Sequence, residues 1–418
     1  MKIAVIGSGI SGLSCAWLLN RKEGVDVTLF ESEDYLGGHS NTVDVTLNGV
    51  THPVDTGFLV HNPNTYPNLI AFFKFLKVEV IDSDMTFSVK LGEKKIEWSG
   101  TNLRTVFSQK KNILSFRFWR MIFDIIHFNK RVHEYLMYSR IHKLSLGDLL
   151  REKKYSKEFC DWYLIPMGAA IWSTSTEDMQ KFPAENFIQF GINHSLFQVE
   201  GRPVWRTVKN GTREYVKKIA ETLPRVFLNE PVLSVRRGDR VEVITKNRTE
   251  IFDKVVFATH TDITSKILID TSILEKEVLD NVLYSENIAY LHYDRSLLPD
   301  SENVWSAWNY FSETDDKNNR AVAVSYLITK LQPLPFQEPI VVTLNPLRAP
   351  SINKTIKKII YHHPMFDQGA IDSQKKLSLI QGKNNTYFAG AWCGYGFHED
   401  GLNSGIAVAK MLGAEVPW

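Results

Sequence analysis

Lys2-Ile3-Ala4-Val5-Ile6-Gly7-Ser8-Gly9-Ile10-Ser11-Gly12 opens the chain, and Asp26-Val27-Thr28-Leu29-Phe30-Glu31 follows after one helical stretch. Between them Leu13, Ala16, Trp17 and Leu19 recur at helical spacing. The order is strand, glycine loop, helix, strand, acid, which is the whole βαβ context of a dinucleotide-binding unit. Gly7 permits the tight turn, Gly9 lets a pyrophosphate approach the backbone, and Gly12 lets helix and strand pack closely. Ile10 and Ser11 begin the helix, whose free N–H groups and positive dipole end suit phosphates. Glu31 stands 19 residues beyond Gly12. There it can accept from ribose hydroxyls and would repel a 2′-phosphate, which disfavours NADP.

Ser32 follows Glu31, and five residues separate the acid from Gly37-Gly38-His39-Ser40. With this extension the sequence resembles the flavin amine-oxidase and protoporphyrinogen-oxidase superfamily. In that family the paired glycines run beside an FAD pyrophosphate and the next residue is usually arginine; here it is His39. The resemblance implies FAD as cofactor, held by Gly7, Gly9, Ile10, Ser11, Gly12, Glu31 and Ser32 at the first fingerprint and by Gly37, Gly38 and His39 at the second. It further implies Thr56 and Gly57 on a return strand (Pro53 to Phe58, after a hairpin through Asn48-Gly49), Val232 near the adenine, and Ala258 at a strand end. Near Gly390 another strand ends, and Gly394-Tyr395-Gly396-Phe397-His398-Glu399-Asp400-Gly401-Leu402-Asn403 leads into a helix expected to begin near Gly401. Asp400 is expected to serve the ribityl or phosphate region, with Leu402 and Asn403 as backbone donors.

The implied fold is α/β: a discontinuous, glutathione-reductase-like Rossmann FAD-binding domain with a mixed α+β substrate domain. The expected division assigns 1–84, 206–265 and 385–418 to the cofactor and 85–205 and 266–384 to the substrate. The resemblance covers 1–60, 205–260 and 385–418 well and is weak elsewhere. A helix is expected over 66–76, with strands near 226–228, 230–235, 241–245, 254–258, 288–293, 321–328 and 340–344. Within the superfamily, the histidine after the paired glycines and the Gly-Tyr-Gly-Phe-His-Glu-Asp-Gly run resemble the flavoprotein domains linked to cyclopropane and other modified fatty-acid synthesis.

At 418 residues and 44% hydrophobic content the chain can bury a large core, and two domains are the natural expectation. Its three cysteines, Cys15, Cys160 and Cys393, form no paired motif, so neither a disulfide framework nor a metal site is expected and a cytoplasmic setting fits. No charged leader precedes the first strand, and no apolar run approaches the ~18 residues that a membrane span requires. Net charge is +2, yet Arg104 to Lys157 holds 13 Lys/Arg against 4 Asp/Glu. Within that block Phe116 to Phe128 interleaves cations with bulky apolar groups. Such a segment suits either a peripheral membrane contact on the inner face or a buried helix. No nucleic-acid module matches the block.

A flavin accepts hydride itself, so the protein must position a C–H bond and manage a proton. The candidates for that chemistry are His398, Tyr395 and His260, with His39 beside them. His61, His292, His362 and His363 rank below. Ile165 to Trp172 reads as core or as the lining of a substrate channel, and Cys393 as a buried thiol or, less readily, a covalent flavin anchor. The expected activity is a flavin-dependent dehydrogenation, desaturation, oxidation or isomerisation of a hydrophobic substrate, first an unsaturated or methylated fatty-acyl chain of a lipid. The alternatives are an amine or tetrapyrrole/carotenoid oxidase, and a non-catalytic FAD-containing partner of a lipid methyltransferase.

Overall fold

The computed structural model describes residues 1–92, 95–172, 174–198, 203–314 and 320–418. Its first sheet has five parallel strands in the order Thr386–Phe388, Lys254–Phe257, Lys2–Ile6, Asp26–Phe30 and Val226–Phe227. Ile3, Ala4, Val5, Leu29, Val255 and Val256 are all sealed from solvent. Both faces of this sheet are covered, which is why its strands read as unbroken apolar runs and not as alternations. The glycine loop leads into the Ile10–Asn20 helix, which lies against the His398–Met411 helix.

That contact is made backbone to backbone. A Cβ on Gly405 would lie 2.3 Å from the Ser11 carbonyl oxygen, and one on Gly401 would lie 2.8 Å from Ile10 Cγ2. Within the fingerprint, a Cβ on Gly12 would lie 1.9 Å from the Gly7 carbonyl oxygen. The hairpin at Asn48-Gly49 forms between Thr42–Leu47 and Val50–Asp55, with both turn residues at positive φ (51° and 80°). That is the geometry two-residue hairpins favour. The 230–245 region forms a separate antiparallel sheet, Val232–Arg237, Val241–Thr245 and Thr249–Phe252, packed on Phe30 and Phe257.

The second large sheet has seven strands, in the order Thr355–Pro364, Tyr284–His292, Val341–Leu344, Arg320–Leu327, Trp308–Thr314, Phe87–Leu91 and Ile96–Ser99. Phe87–Leu91 runs parallel to Trp308–Thr314, so two distant stretches of chain share one sheet. Beside it a helical lobe, including Phe116–His142, Leu146–Glu152, Ile165–Trp172 and Ala184–Asn193, closes on its own core of Phe128, Tyr135, Phe159 and Phe187. The apolar stretch Ile165–Trp172 is core: a Cβ on Gly168 would meet Met179 Sδ at 2.5 Å and Phe187 at 2.9 Å. Among the described residues no helix is long and apolar enough to cross a membrane.

Replacing Gly405 with valine must push two helices apart. Overpacking of this kind costs about 1–3 kcal/mol or more, so Gly405→Val is expected to lower the free energy of urea unfolding by that amount.

Candidate cofactor and active site

The first helix starts at a bare backbone. Gly9 precedes it with no side-chain cap, and its first turn carries no acid. Nothing lies within 4 Å of the position a Gly9 Cβ would take, so the space before the helix N-terminus is open. The paired glycines lie against this loop: Gly37 bridges Gly9 in parallel, its amide donates to the Ser8 carbonyl at 3.0 Å, and a Cβ on Gly38 would sit 3.2 Å from Gly9 Cα. Glu31 is buried at the strand end. Its Oε2 accepts from the Ser8 amide (2.9 Å) and the Ser8 hydroxyl, its Oε1 from Ser32 Oγ (3.1 Å) and the Glu33 amide (3.0 Å). Four internal donors thus occupy the acceptor sites of one carboxylate. Ribose hydroxyls could bind only as the Ser8 and Ser32 hydroxyls rotate away. The Glu230 amide donates to the Glu31 carbonyl, which draws Val232 toward the same end.

At the other end of the cradle stands His39. It is half-buried, its Nε2 is sealed from solvent without a partner, and its ring stacks on Tyr361 with centroids 4.9 Å apart. Tyr361 OH meets Thr56 Oγ1 at 2.8 Å, and Gly57 presses on the His39 carbonyl, where a Cβ would be 2.2 Å away. His363 lies 5.2 Å from His39, ring to ring, and His260 stacks on Tyr284 at 4.3 Å with His362 at 6.3 Å. Asn287 Nδ2 donates to the Ser285 carbonyl and, at 3.1 Å, to His363 Nδ1. A carbonyl can only accept, so the amide orientation is fixed and His363 carries its proton on Nε2. Burial pushes the pKa of His260 and of His363 down to about 4; Asp262 opposes it at His260, and neighbouring histidines push the same way as burial at both. Burial, then His363, holds His39 well below the usual imidazole range. These rings are neutral at pH 7.

Sequence ranking put His362 and His363 near the bottom. For His363 the signal is the spacing Tyr361-x-His363 on a strand, which sends the Tyr361 and His363 side chains to one face and His362 to the other. What that face meets depends on distant pairing of Thr355–Pro364 with Tyr284–His292.

His398, by contrast, is committed to packing. Its ring lies flat on Phe58 (centroids 3.9 Å, 5° between planes), and its Nε2 meets Tyr215 OH at 2.9 Å, which in turn bonds Ser40 Oγ. Burial pushes its pKa down to about 3. The expectation that the helix begins near Gly401 is corrected: it begins at His398. The Gly401 amide bonds the Phe397 carbonyl at 3.0 Å, and Leu402 and Asn403, one and two residues further in, have their amides engaged within the helix. The free donors belong to the first turn, His398 to Asp400. Asp400 caps the turn ahead of this helix, its Oδ2 accepting from the Tyr395 (3.1 Å) and Phe397 (2.9 Å) amides. Glu399 caps the neighbouring Pro67–Phe75 helix through the Asn68 (2.8 Å) and Leu69 (2.9 Å) amides. Burial raises the pKa of both carboxyls.

Tyr395, with Phe397, Phe190, His194 and Tyr66, lines a cavity of about 370 Å³. Ala258 faces the Gly7 turn, and the Gly390 amide donates to Ser404 Oγ at 2.9 Å. Burial raises the Cys393 pKa, which keeps its thiol protonated. Among the described residues no group of three His, Cys, Asp or Glu is arranged to hold a metal ion. The open space at Gly9, the flat double-glycine loop and the orphaned His39 Nε2 fit an extended dinucleotide.

Gly9→Ala fills only open space, so stability should stay within about 0.5 kcal/mol while bound flavin per chain drops sharply, read by absorbance beside urea unfolding. Unfolded histidines ionise near pH 6.5, whereas His61, His194, His260, His292 and His363 are held down to about 4. The unfolded chain therefore binds protons first, and stability falls as pH drops from 6.5 to 4. Asp55, raised from 3.8 to about 6 by burial, opposes this from about pH 6 downward. The expected net loss is at least about 2 kcal/mol, and His61→Phe should flatten the slope of urea midpoint against pH.

A family model described as an NAD(P)-binding Rossmann-like domain matches residues 5–76. No curated protein matches the chain. Among solved structures, the chain is similar to a CLA-producing fatty acid isomerase from P. acnes (TM-score 0.69, 14% identity, covering 99% of this chain and 98% of that one). It is similar also to a putrescine oxidase bound to putrescine (0.67, 15%, 99% and 99%). A third likeness is to a protein assigned as a protoporphyrinogen oxidase from Exiguobacterium sp. 255-15 (0.66, 14%, 98% and 98%). Over nearly its whole length, the chain shares the fold of these three proteins.

Proposed function

We propose that this protein is an FAD-dependent oxidoreductase that dehydrogenates, desaturates, oxidises or isomerises a hydrophobic substrate, first an unsaturated or methylated fatty-acyl chain of a lipid. The observation that carries the reading is the group of neutral, half-buried imidazoles (His39, His260 and His363) gathered beside a glycine cradle shaped for a dinucleotide. Gly7, Gly9, Gly12, Glu31, Gly37 and Gly38 would hold the FAD, with the first-turn amides of both helices as donors. When bound, a flavin takes or returns hydride at N5. The residues of the chain supply the rest. Neutral imidazoles near pH 7 can take a proton from a C–H site or return it, and a stacked aromatic wall excludes water. His363, with Nδ1 fixed by Asn287, presents Nε2–H as a donor, while His39 Nε2 stands free.

A charged amine fits less well. The two carboxylates lining the aromatic cavity, Glu399 and Asp400, are both engaged as helix caps and shifted by burial toward the neutral form. Capping and burial together weaken both as partners for an ammonium group. The amine, tetrapyrrole or carotenoid oxidase reading draws on the nearly equal likeness to putrescine oxidase. A partnership with a lipid methyltransferase would accommodate either a catalytic or an accessory role.

Anaerobic mixing of the yellow protein with extracted phospholipid should bleach the oxidised flavin band, with the product's new double bond located by mass spectrometry. Bleaching by amines alone would move the protein to the second reading. His363→Ala should retain flavin yet slow bleaching by about 10²–10⁴-fold, the range of a lost general acid or base. Unchanged kinetics would remove His363 from the chemistry.

A further inference from the structure

The Phe116–His142 helix is 27 residues long and buries a single stripe: Phe118, Met121, Phe128, Val132, Tyr135 and Ser139. Ordinarily the opposite side of such a helix is polar. Here it projects large apolar groups at the same three-and-four spacing. Phe116 is 79% exposed and Phe123 is 63% exposed, with Trp119 and Ile126 between and beyond them. The chain just before it adds Leu114 at 91% and Leu103 at 78%. Cations lie among these groups: Arg104, Lys110, Arg120, Lys130 and Arg131 are all exposed, and none is in an ion pair among the described residues. Arg117 is tied to Glu158 at 2.5 Å and Lys111 donates to the Lys95 carbonyl at 2.9 Å, while Asp124 on the same helix is turned to Ser156.

We propose that this face, from Leu103 to Arg131, docks the protein on an anionic lipid bilayer, the apolar side chains entering the headgroup boundary and the free cations meeting lipid phosphates. The helix lies on such a surface and does not cross it, since no described helix is apolar enough to do so. Charge selects the occupant. A second copy of the chain meeting this face about a two-fold axis would set one unpaired cationic surface against another, whereas an anionic surface attracts each cation. The helix's inner side packs on Ala184–Asn193, whose Phe190 lines the aromatic cavity, so the docked face and the cavity flank one two-helix layer. Docking stands on exposure and charge alone and does not require the lipid-substrate reading; flotation measures it whether or not a flavin is reduced.

The test is flotation of the flavin-loaded full chain with vesicles of phosphatidylcholine plus phosphatidylglycerol, and with phosphatidylcholine alone, at low and high salt. The expected result is flotation with the anionic vesicles, reversed by salt. Removing a near-surface cation should weaken partitioning about fivefold, so Arg104→Glu, Arg120→Glu and Lys130→Glu together should lower it by at least ~100-fold. Leu114→Ser with Phe116→Ser and Phe123→Ser should abolish flotation while leaving flavin content and urea midpoint unchanged. The proposal is overturned if the protein stays unbound with anionic vesicles at low salt, or floats undiminished in both variants. It is equally overturned if the face is covered in a lipid-free dimer that the same substitutions dissociate.

Discussion

Two helices from opposite ends of the sequence touch through their backbones, and the cofactor cradle depends on that contact. Gly405 brings the His398–Met411 helix so near the Ile10–Asn20 helix that any side chain there would strike the Ser11 carbonyl. Gly12 draws the first helix equally close to the glycine turn. The result is rigid placement of two helix N-termini around one space. Dipoles and free amides act only over the first turn of a helix, so a shift of a few ångströms at Gly405 would misdirect both sets of donors. The parallel sheet beneath, built from three separated stretches, holds the same register from below.

The polar groups around that space divide into two kinds. Carboxylates are spent on architecture: Asp400 closes its own loop, Glu399 caps a neighbouring helix, and Asp55 serves Thr42, Thr212 and Gln332. Imidazoles are left neutral by burial, several with unfilled hydrogen-bonding capacity, as at His39 and His61. An unsatisfied buried nitrogen costs on the order of 1–3 kcal/mol, a cost that a bound ligand can relieve at His39. His61 sits among Phe58, Tyr66 and Phe73, and nothing in the structure explains its two unpaired nitrogens.

Much of this was legible in the sequence because it depends on local patterns. Gly7, Gly9, Gly12 and Glu31 fall on the strand, loop, helix and strand that their spacing predicts, and Asn48-Gly49 makes its turn. Three features escaped for physical reasons. The C-terminal helix starts early because Asp400 caps it from its third position, while the residue before it, Phe397, gives none of the usual N-cap signals. The cationic helix continues to His142 because Val132, Tyr135 and Ser139 carry the buried stripe past a charged stretch that resembles a loop. The histidine cluster is assembled by pairing between strands far apart in the sequence, which no window of local sequence contains.

The parallel sheet also has an edge in time. Its outer strand, Thr386–Phe388, and the helix that completes the cradle come after nearly all the rest of the chain has been made. Strand pairings this distant form slowly, because long loops must close before the contacts reward them. During synthesis the first βαβ unit therefore emerges with one side of its glycine loop bare, and the cofactor's site exists only once the last elements have docked. A chain released before Gly405 would carry the fingerprint without the second helix that completes the candidate site.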